Sequence, residues 1–127
     1  MADDDPIVVF LTAASGEEAT RLADLLVGAH LAACVQILPE MESVYRWQGQ
    51  IERQSENLLI VKTTAGKFAE LETEVRALHS YETPEIVAVP IVAGSQPYLN
   101  WLSESVKPQL GMRMSPETNL SNSSSES

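Results

Sequence analysis

The chain of 127 residues has little of what several classes of protein require. Its single cysteine, Cys34, excludes a disulfide within the chain, and no CxxC or HxxxH pair is present to suggest an intrachain zinc site. Apolar runs such as Ile7–Leu11 are far shorter than the roughly 20 residues of a membrane-spanning helix. Only 8 basic residues stand against 18 acidic ones, and the net charge of −10 repels phosphate backbones. We therefore expect neither membrane insertion nor nucleic-acid binding.

What is present indicates a globular protein with one domain. A chain of this length with 44 % hydrophobic residues can bury a core of its own. Residues 1–6 are acidic, unlike the basic start of a secretory signal, and one cysteine suits a reducing compartment. We predict a flexible acidic segment at residues 1–6, a folded domain at residues 7–107, a polar disordered tail at residues 108–127, and a cytoplasmic location.

Apolar residues at three- and four-residue spacing predict three helices. Ser15 lies three residues before Glu18, which is the spacing of a capping box, and the helix that follows should end near Gly28. The second helix is expected after Thr64 and the third after Ser95.

Apolar and alternating segments between the helices predict β-strands at residues 7–13, 31–38, 44–52, 57–64 and 86–92. Residues 44–52 and 57–64 are expected to form a long central hairpin whose turn lies at residues 53–56. Alternation in its first arm assigns three residues to one face, namely Tyr45, Trp47 and Ile51. The same alternation predicts that Arg46, Gln48 and Glu52 lie on the opposite face.

The order of these elements predicts an α+β fold of the ferredoxin-like type. It consists of a βαββαβ unit with a long central β-hairpin and an extra C-terminal helix, with helices packed on one face of an antiparallel sheet. Leu58–Val61 is apolar on consecutive residues, so both faces of that strand should be covered. A chain this short is expected to need a second copy of itself to cover the other face.

Five segments, in order and in register, resemble the CutA divalent-ion tolerance family. They are Leu-Ala-Ala-Cys-Val at 31–35, Ser-Val-Tyr-Arg-Trp-Gln-Gly at 43–49, Val-Lys-Thr-Thr at 61–64, His-Ser-Tyr-Glu-Thr-Pro-Glu-Ile at 79–86, and Tyr-Leu-Asn-Trp-Leu at 98–102. The resemblance covers about residues 7–106. It implies a ferredoxin-like subunit, a tight homotrimer built through the long hairpin, and tolerance of copper and other divalent ions.

The chain departs from the family pattern at a few positions. Members usually have proline where this chain has Ser80, a change expected to loosen the backbone there. Some members carry additional Cys or His at places that correspond to Leu11 and Leu78, neither of which binds metal.

One chain has few candidate metal ligands. A metal site would therefore need the same small set of ligands from three subunits to converge. The best set is His79, Glu82 and Cys34, for copper or another divalent cation. His79 has an alternative role as a helix-terminal histidine bonded to backbone carbonyl groups, and Cys34 has one as a small core residue.

Catalysis is a second possibility for the same region. Acid–base groups are present there in Lys62, His79, Tyr81, Glu82 and Glu85, and a His–Glu pair near a helix end would suit a general base. The chain has no glycine-rich phosphate loop and no nucleophile elbow, so we predict that it is not an enzyme.

A third possibility is a signalling module. Trimeric ferredoxin-like proteins resemble the nitrogen-regulatory signal proteins, which bind small molecules between subunits. In this alternative an anionic ligand would lie in an inter-subunit cleft lined by Lys62, Arg46, Tyr81 and Glu85. Three further aromatic residues are expected to pack at the trimer interface: Tyr45, Trp47 and Trp101.

Overall fold

The computed structural model describes residues 1–108 and contains one four-stranded antiparallel sheet. The elements in chain order are β1 (Pro6–Ala13), α1 (Gly16–Gly28), β2 (Cys34–Trp47), β3 (Gln50–Thr64), a short 3-10 helix (Ala65–Lys67), α2 (Phe68–Leu78), β4 (Ile86–Pro90) and α3 (Gln96–Ser105). The strand order β2-β3-β1-β4 confirms the predicted ferredoxin-like α+β plan. No helix among residues 1–108 is long and apolar enough to cross a membrane. Except for residue 108, the predicted tail lies outside the described residues.

One face of the sheet packs against α1 and α2 to form the core. Alternate residues of β1 and β3 point to this face because side chains in a strand have a period of two. With residues of the helices they form one buried cluster that includes Ile7, Val9, Leu11, Leu22, Leu26, Leu59, Val61, Leu71 and Val75. Burial of each such side chain contributes about 1.5–3 kcal/mol, so this cluster is the main source of stability.

The start of α1 differs in one detail from the predicted capping box. The hydroxyl of Ser15 accepts a hydrogen bond from the Glu18 N–H at 3.1 Å, as expected. The Glu18 carboxylate, however, accepts from the N–H of Ala14 at 2.9 Å and not from that of Ser15. α1 ends at Gly28, which confirms the predicted end of this helix.

The central hairpin turns at Gln48 and Gly49, so the prediction of a turn at residues 53–56 was wrong. Trp47 pairs with Gln50, and residues 53–56 lie within β3, paired with residues 41–44 of β2. Gln48 and Gly49 have φ angles of 51° and 80°. A two-residue hairpin turn with positive φ at both positions favours glycine, and this requirement outweighs the polarity of residues 53–56.

The true turn also changes which residues share a face of the hairpin. Tyr45 pairs with Glu52, and Arg46 pairs with Ile51. Paired residues point to the same side of a sheet, so Ile51 lies with Arg46 and not with Tyr45. The predicted face was therefore right for Tyr45 and Trp47 and wrong for Ile51 and Glu52.

Both edge strands contain a proline. β2 does not stop before Pro39 as predicted but continues to Trp47, with a register shift between Leu38 and Met41. An edge strand tolerates proline because the N–H groups on its outer side have no partner strand. The register shift between Leu38 and Met41 accommodates Pro39. β4 is the other edge and ends at Pro90, in agreement with the edge position predicted for that residue.

The second face of the sheet is only partly covered. Apolar residues on it remain exposed, with Leu38, Val87 and Val89 at 56 %, 50 % and 40 %. Tyr98 of α3 reaches this face, because the Lys62 Nζ lies 5.7 Å from its ring centroid. The buried Leu102 and Val106 of α3 lie outside the main core cluster.

Residues before β1 contact the short 3-10 helix that follows β3. The carbonyl oxygens of Asp5 and Asp3 accept hydrogen bonds from the N–H groups of Ala65 and Gly66, at 2.8 Å and 2.9 Å. β1 itself already includes Pro6. The flexibility of residues 1–6 stays a prediction.

The turn gives a first testable prediction. Gly49→Ala forces a Cβ into the left-handed region and should destabilise the protein by about 1–2 kcal/mol. Gly28→Ala is the control, since an added Cβ there meets no atom within 4 Å and its φ is not positive. Urea unfolding of both variants checks this, and equal stability of Gly49→Ala and the wild type would contradict it.

Candidate functional site

A buried carboxylate joins two parts of the chain that are distant in sequence. Glu18 is 3 % exposed and accepts from the N–H of Ser80 at 2.6 Å and from its hydroxyl at 3.2 Å. It also accepts from the N–H of Ala14 at 2.9 Å. Hydrogen bonds to Glu18 therefore connect the loop that follows α2 to the start of α1.

These bonds determine the charge of Glu18. Burial by itself would raise the pKa of its carboxyl group, but the hydrogen bonds from Ala14 and Ser80, with a smaller effect of His79, outweigh burial and lower it. Glu18 is thus an ionised group at neutral pH, held almost entirely by neutral donors.

His79 uses both ring nitrogens within the fold. Its Nε2 lies 2.6 Å from the carbonyl oxygen of Thr12, and because a carbonyl only accepts, Nε2 carries the proton. Its Nδ1 accepts from the N–H of Tyr81 at 3.0 Å and lies 3.6 Å from a carboxylate oxygen of Glu18. Both ring nitrogens are therefore engaged within the fold, and the side chain is fully buried. This arrangement matches the alternative role of a histidine bonded to the backbone and leaves no lone pair for a metal.

A chain of hydrogen bonds continues from this loop into the hairpin. The Tyr81 hydroxyl donates to Glu56 at 2.9 Å and accepts from the Gln54 amide at 2.8 Å. Ser43 donates to the other oxygen of Glu56 at 2.6 Å, and Tyr45 donates to Gln54 at 2.7 Å. Burial, and then the hydrogen bond to Glu56, raises the pKa of Tyr81, so its phenol stays a donor.

These groups border an open cavity between the hairpin and the loop after α2, which we name the acidic cleft. Its volume is about 590 Å³. Its lining includes three aromatic side chains, Tyr45, Trp47 and Tyr81, and three carboxylates, Glu56, Glu82 and Glu85. No lysine, arginine or histidine lines it among the described residues. The cleft therefore attracts cations.

The three predicted metal ligands do not converge within one chain. Cys34 pairs with Lys62 on β3, whereas His79 contacts Thr12, which pairs with Leu58. Leu58 and Lys62 are four residues apart on β3, and four residues of a strand span about 13 Å. Cys34 and the contact of His79 are therefore separated by about this distance. Residues 1–108 contain no group of three or more His, Cys, Asp or Glu side chains that could hold a metal ion. A set built from all three in a single subunit is therefore not formed.

The predicted anion-binding residues are also separated. Lys62 donates to Gln36 at 2.9 Å. On β3, Lys62 lies eleven residues from Ile51, and Ile51 is the residue that pairs with Arg46. Eleven residues of a strand span roughly 36 Å, so the two basic groups cannot meet in one chain. The other two predicted residues, Tyr81 and Glu85, both line the acidic cleft.

The predicted interface aromatics lie on two elements. Tyr45 and Trp47 are 41 % and 56 % exposed at the acidic cleft. Trp101 is on α3, with its ring centroid 5.4 Å from that of Tyr98. Their contact with other subunits stays a prediction.

Sequence reasoning did not find Glu18, Gln54 and Glu56 as parts of this network. Glu18 was recognised only as a capping residue, and the other two were assigned to a turn. A signal for them was present: counting alternate residues from the Gly49 turn places Gln54 and Glu56 on the same face as Tyr45.

Comparison with known proteins identifies the family. The family described as CutA1 divalent ion tolerance protein matches residues 7–105. This chain belongs to the CutA1 family. The divalent-cation tolerance protein CutA of Thermus thermophilus is 50 % identical over 98 residues, which cover 77 % of this chain and 95 % of that protein. The chloroplastic protein CutA of Arabidopsis thaliana is 45 % identical over 101 residues, 80 % of this chain and 56 % of that one.

Solved CutA structures share the fold. Cut A1 of Thermus thermophilus has a TM-score of 0.78 at 49 % identity, covering 79 % of this chain and 97 % of that one. The protein described as periplasmic divalent cation tolerance protein CutA of Archaeoglobus fulgidus has a TM-score of 0.78 at 45 % identity, with coverages of 80 % and 99 %. CutA1 of Oryza sativa reaches 0.80 at 41 % identity, with coverages of 83 % and 96 %. The family and fold predicted from the sequence are confirmed.

The buried carboxylate gives a second prediction. Because its folded pKa is lowered, Glu18 contributes stability that is present above the ordinary carboxyl pKa of 4.5 and is lost as pH falls through the lower folded value. Glu18→Gln should destabilise the protein by about 1–3 kcal/mol near pH 7 and by progressively less at acidic pH.

Unfolding by urea between pH 3 and pH 7, at one protein concentration, measures this difference. Glu17→Gln is the matched control, because Glu17 is the exposed neighbour in the same helical turn. A gap between Glu18→Gln and the wild type that stays constant over this pH range would contradict the assignment.

Proposed function

We propose that this member of the CutA1 family acts as a homotrimer that binds divalent cations, copper among them, and performs no catalysis. The observation that carries the proposal is the set of apolar and aromatic side chains that one chain leaves exposed beside an acidic cleft. Family membership supports the role in divalent-cation tolerance.

Assembly is supported by the second face of the sheet. Leu38, Val87 and Val89 expose apolar side chains there, and large exposed apolar patches mark interaction sites. Trp47 and Ile51 add exposed apolar surface near the end of the hairpin. A self-associating protein would bury both surfaces, in agreement with the trimer implied by the resemblance.

Metal binding is proposed at a boundary between subunits. Glu82 is exposed at the acidic cleft, and Cys34 is partly exposed at the start of β2. Thiolate and carboxylate groups both ligate divalent metals. Since the two are far apart in one chain, the proposal requires Glu82 of one subunit and Cys34 of another. His79 then acts as a positioning residue, because it holds the backbone three residues before Glu82.

The absence of catalysis is proposed from the environment of the histidine. A general base must reach the proton that it removes. His79 is buried, and its Nδ1 already accepts a hydrogen bond from the N–H of Tyr81. Its carboxylate neighbour is the buried Glu18, which was not among the predicted acid–base groups. The cytoplasmic location stays a prediction from the sequence.

The anion-binding alternative has less support. The lining of the acidic cleft carries negative charge only, among the described residues, and this disfavours an anion. Lys62 and Arg46 would have to come from different subunits. This alternative becomes the leading one if the trimer forms and binds no metal.

A copper titration of metal-stripped protein tests the metal proposal. Wild type should bind about one ion per subunit, and Glu82→Gln or Cys34→Ser should weaken binding by at least about tenfold, as losses around metal sites do. Glu70→Gln removes a charge from an exposed position in the first turn of α2 and serves as the control. Wild-type trimers without binding above background would overturn the metal proposal.

Light scattering of Trp47→Ala tests the assembly. Truncation of a buried tryptophan costs about 3–5 kcal/mol. Trp47 is 56 % exposed within one chain, so a loss of that size requires that another subunit buries it. Val92→Ala, at a position 92 % exposed, is the control. A Trp47→Ala variant that remains trimeric and fully stable would contradict the role of the hairpin in assembly.

A further inference from the structure

The segment between α2 and β4, residues 79–85, is fixed in place by side chains. Among the residues that the structure describes, residues 80–84 make no hydrogen bond between two backbone groups. The N–H of Ser80 donates instead to the carboxylate of Glu18 at 2.6 Å, and the N–H of Tyr81 donates to Nδ1 of His79 at 3.0 Å. The position of the 79–85 segment therefore depends on a few side-chain acceptors.

Glu18 is the acceptor that comes from a distant part of the chain. It belongs to α1, lies 62 residues from Ser80 and is 3 % exposed. The N–H of Ala14 donates to it at 2.9 Å, so the carboxylate is itself attached to the residue that follows β1. Hydrogen bonds to an ionised acceptor are stronger than those between neutral groups, and a buried site strengthens them further. Glu18 therefore attaches the 79–85 segment firmly to the core.

This attachment acts close to Glu82. Ser80 lies two residues before Glu82, and the residue between them, Tyr81, reaches the hairpin through its hydroxyl, which donates to Glu56 at 2.9 Å. Segments with few backbone hydrogen bonds open locally at a low cost in free energy. Loss of the bonds to Glu18 would therefore leave the backbone at Glu82 with much less restraint.

We propose that Glu18 is a positioning residue for Glu82. Its carboxylate fixes the N–H and the hydroxyl of Ser80 and so limits the positions that Glu82 can occupy. The consequence for metal binding rests on the proposed function, in which Glu82 is a ligand. The order of the 79–85 segment does not depend on that function and is measured separately.

A proline at position 80 provides a way to isolate this role. Proline has no N–H to donate to Glu18, and it restrains the backbone by its ring instead. The residue before a proline favours extended angles, and His79 already has φ of −70° and ψ of 144°. Ser80→Pro is therefore compatible with the residue that precedes it. In that variant the position of the segment no longer depends on a bond from Ser80 to Glu18.

Hydrogen exchange of four metal-stripped, full-length proteins tests the proposal: wild type, Glu18→Gln, Ser80→Pro and the double variant. Glu18→Gln should raise amide exchange in peptides that cover residues 80–85 by about fivefold or more, because a neutral acceptor forms weaker bonds. The increase for peptides of β3 should be smaller. In the Ser80→Pro background, Glu18→Gln should change exchange of the segment by no more than about twofold. Glu17→Gln, at the exposed neighbour in the same helical turn, is the matched control.

Copper titration of the same four proteins tests the consequence for Glu82. Glu18→Gln should weaken binding about tenfold in the Ser80 background, as losses around metal sites do, and by no more than about twofold in the Ser80→Pro background. Light scattering should show the same assembly for wild type and Glu18→Gln. If wild type binds no copper, the proposed metal function fails, and hydrogen exchange alone decides the order of the segment.

Three results would overturn the proposal: unchanged exchange of the segment in Glu18→Gln, an equal increase in both backgrounds, or equal copper affinity of Glu18→Gln and a wild type that binds copper. If Glu18→Gln fails to fold, Ser80→Ala replaces it. That variant removes the hydroxyl bond to Glu18 at 3.2 Å and keeps the N–H. It should raise exchange of the segment about twofold or more, and unchanged exchange would again overturn the proposal.

Discussion

The hydrogen bonds to the carboxylate of Glu18 fix the position of the loop on which the acidic cleft depends. Ala14 follows β1, Glu18 belongs to α1, and Ser80 follows α2, so one side chain joins three segments. The His79 ring completes the attachment through the carbonyl group of Thr12. Because Tyr81 comes next in the chain, its hydroxyl is placed where it can reach the hairpin. Without these bonds the cleft would lose one of its walls.

The departure from the family pattern at Ser80 has a structural compensation. A proline would have limited the backbone at this position but has no N–H group. The N–H of Ser80 donates to Glu18 at 2.6 Å, and its hydroxyl adds a second bond at 3.2 Å. The loosening expected from the loss of proline is therefore opposed by two hydrogen bonds to a buried, ionised carboxylate. Such bonds are stronger than those between neutral groups.

The sequence predicted the features that depend on local spacing and missed those that depend on distant contacts. The Ser15 cap and the end of α1 follow from a few neighbouring residues, and the order of elements was enough for the fold. The turn was misplaced because the polar residues 53–56 resemble a turn, although they lie within β3 and pair with residues 41–44 of β2. The partners of His79 were not predictable, since Thr12 lies 67 residues away and offers only its backbone carbonyl. Distances between Cys34 and the other candidate ligands likewise depend on strand register.

The hairpin side chains at the acidic cleft link cation binding to assembly. Tyr45 and Trp47 line the acidic cleft and remain exposed in one chain, so a neighbouring subunit that covers them would change the shape of the cleft. Three carboxylates in one lining repel each other, and repulsion of like charges weakens a compact arrangement. A bound cation would relieve that repulsion. A cation that binds the assembled form more tightly must therefore stabilise the assembly by the same free energy with which assembly strengthens binding.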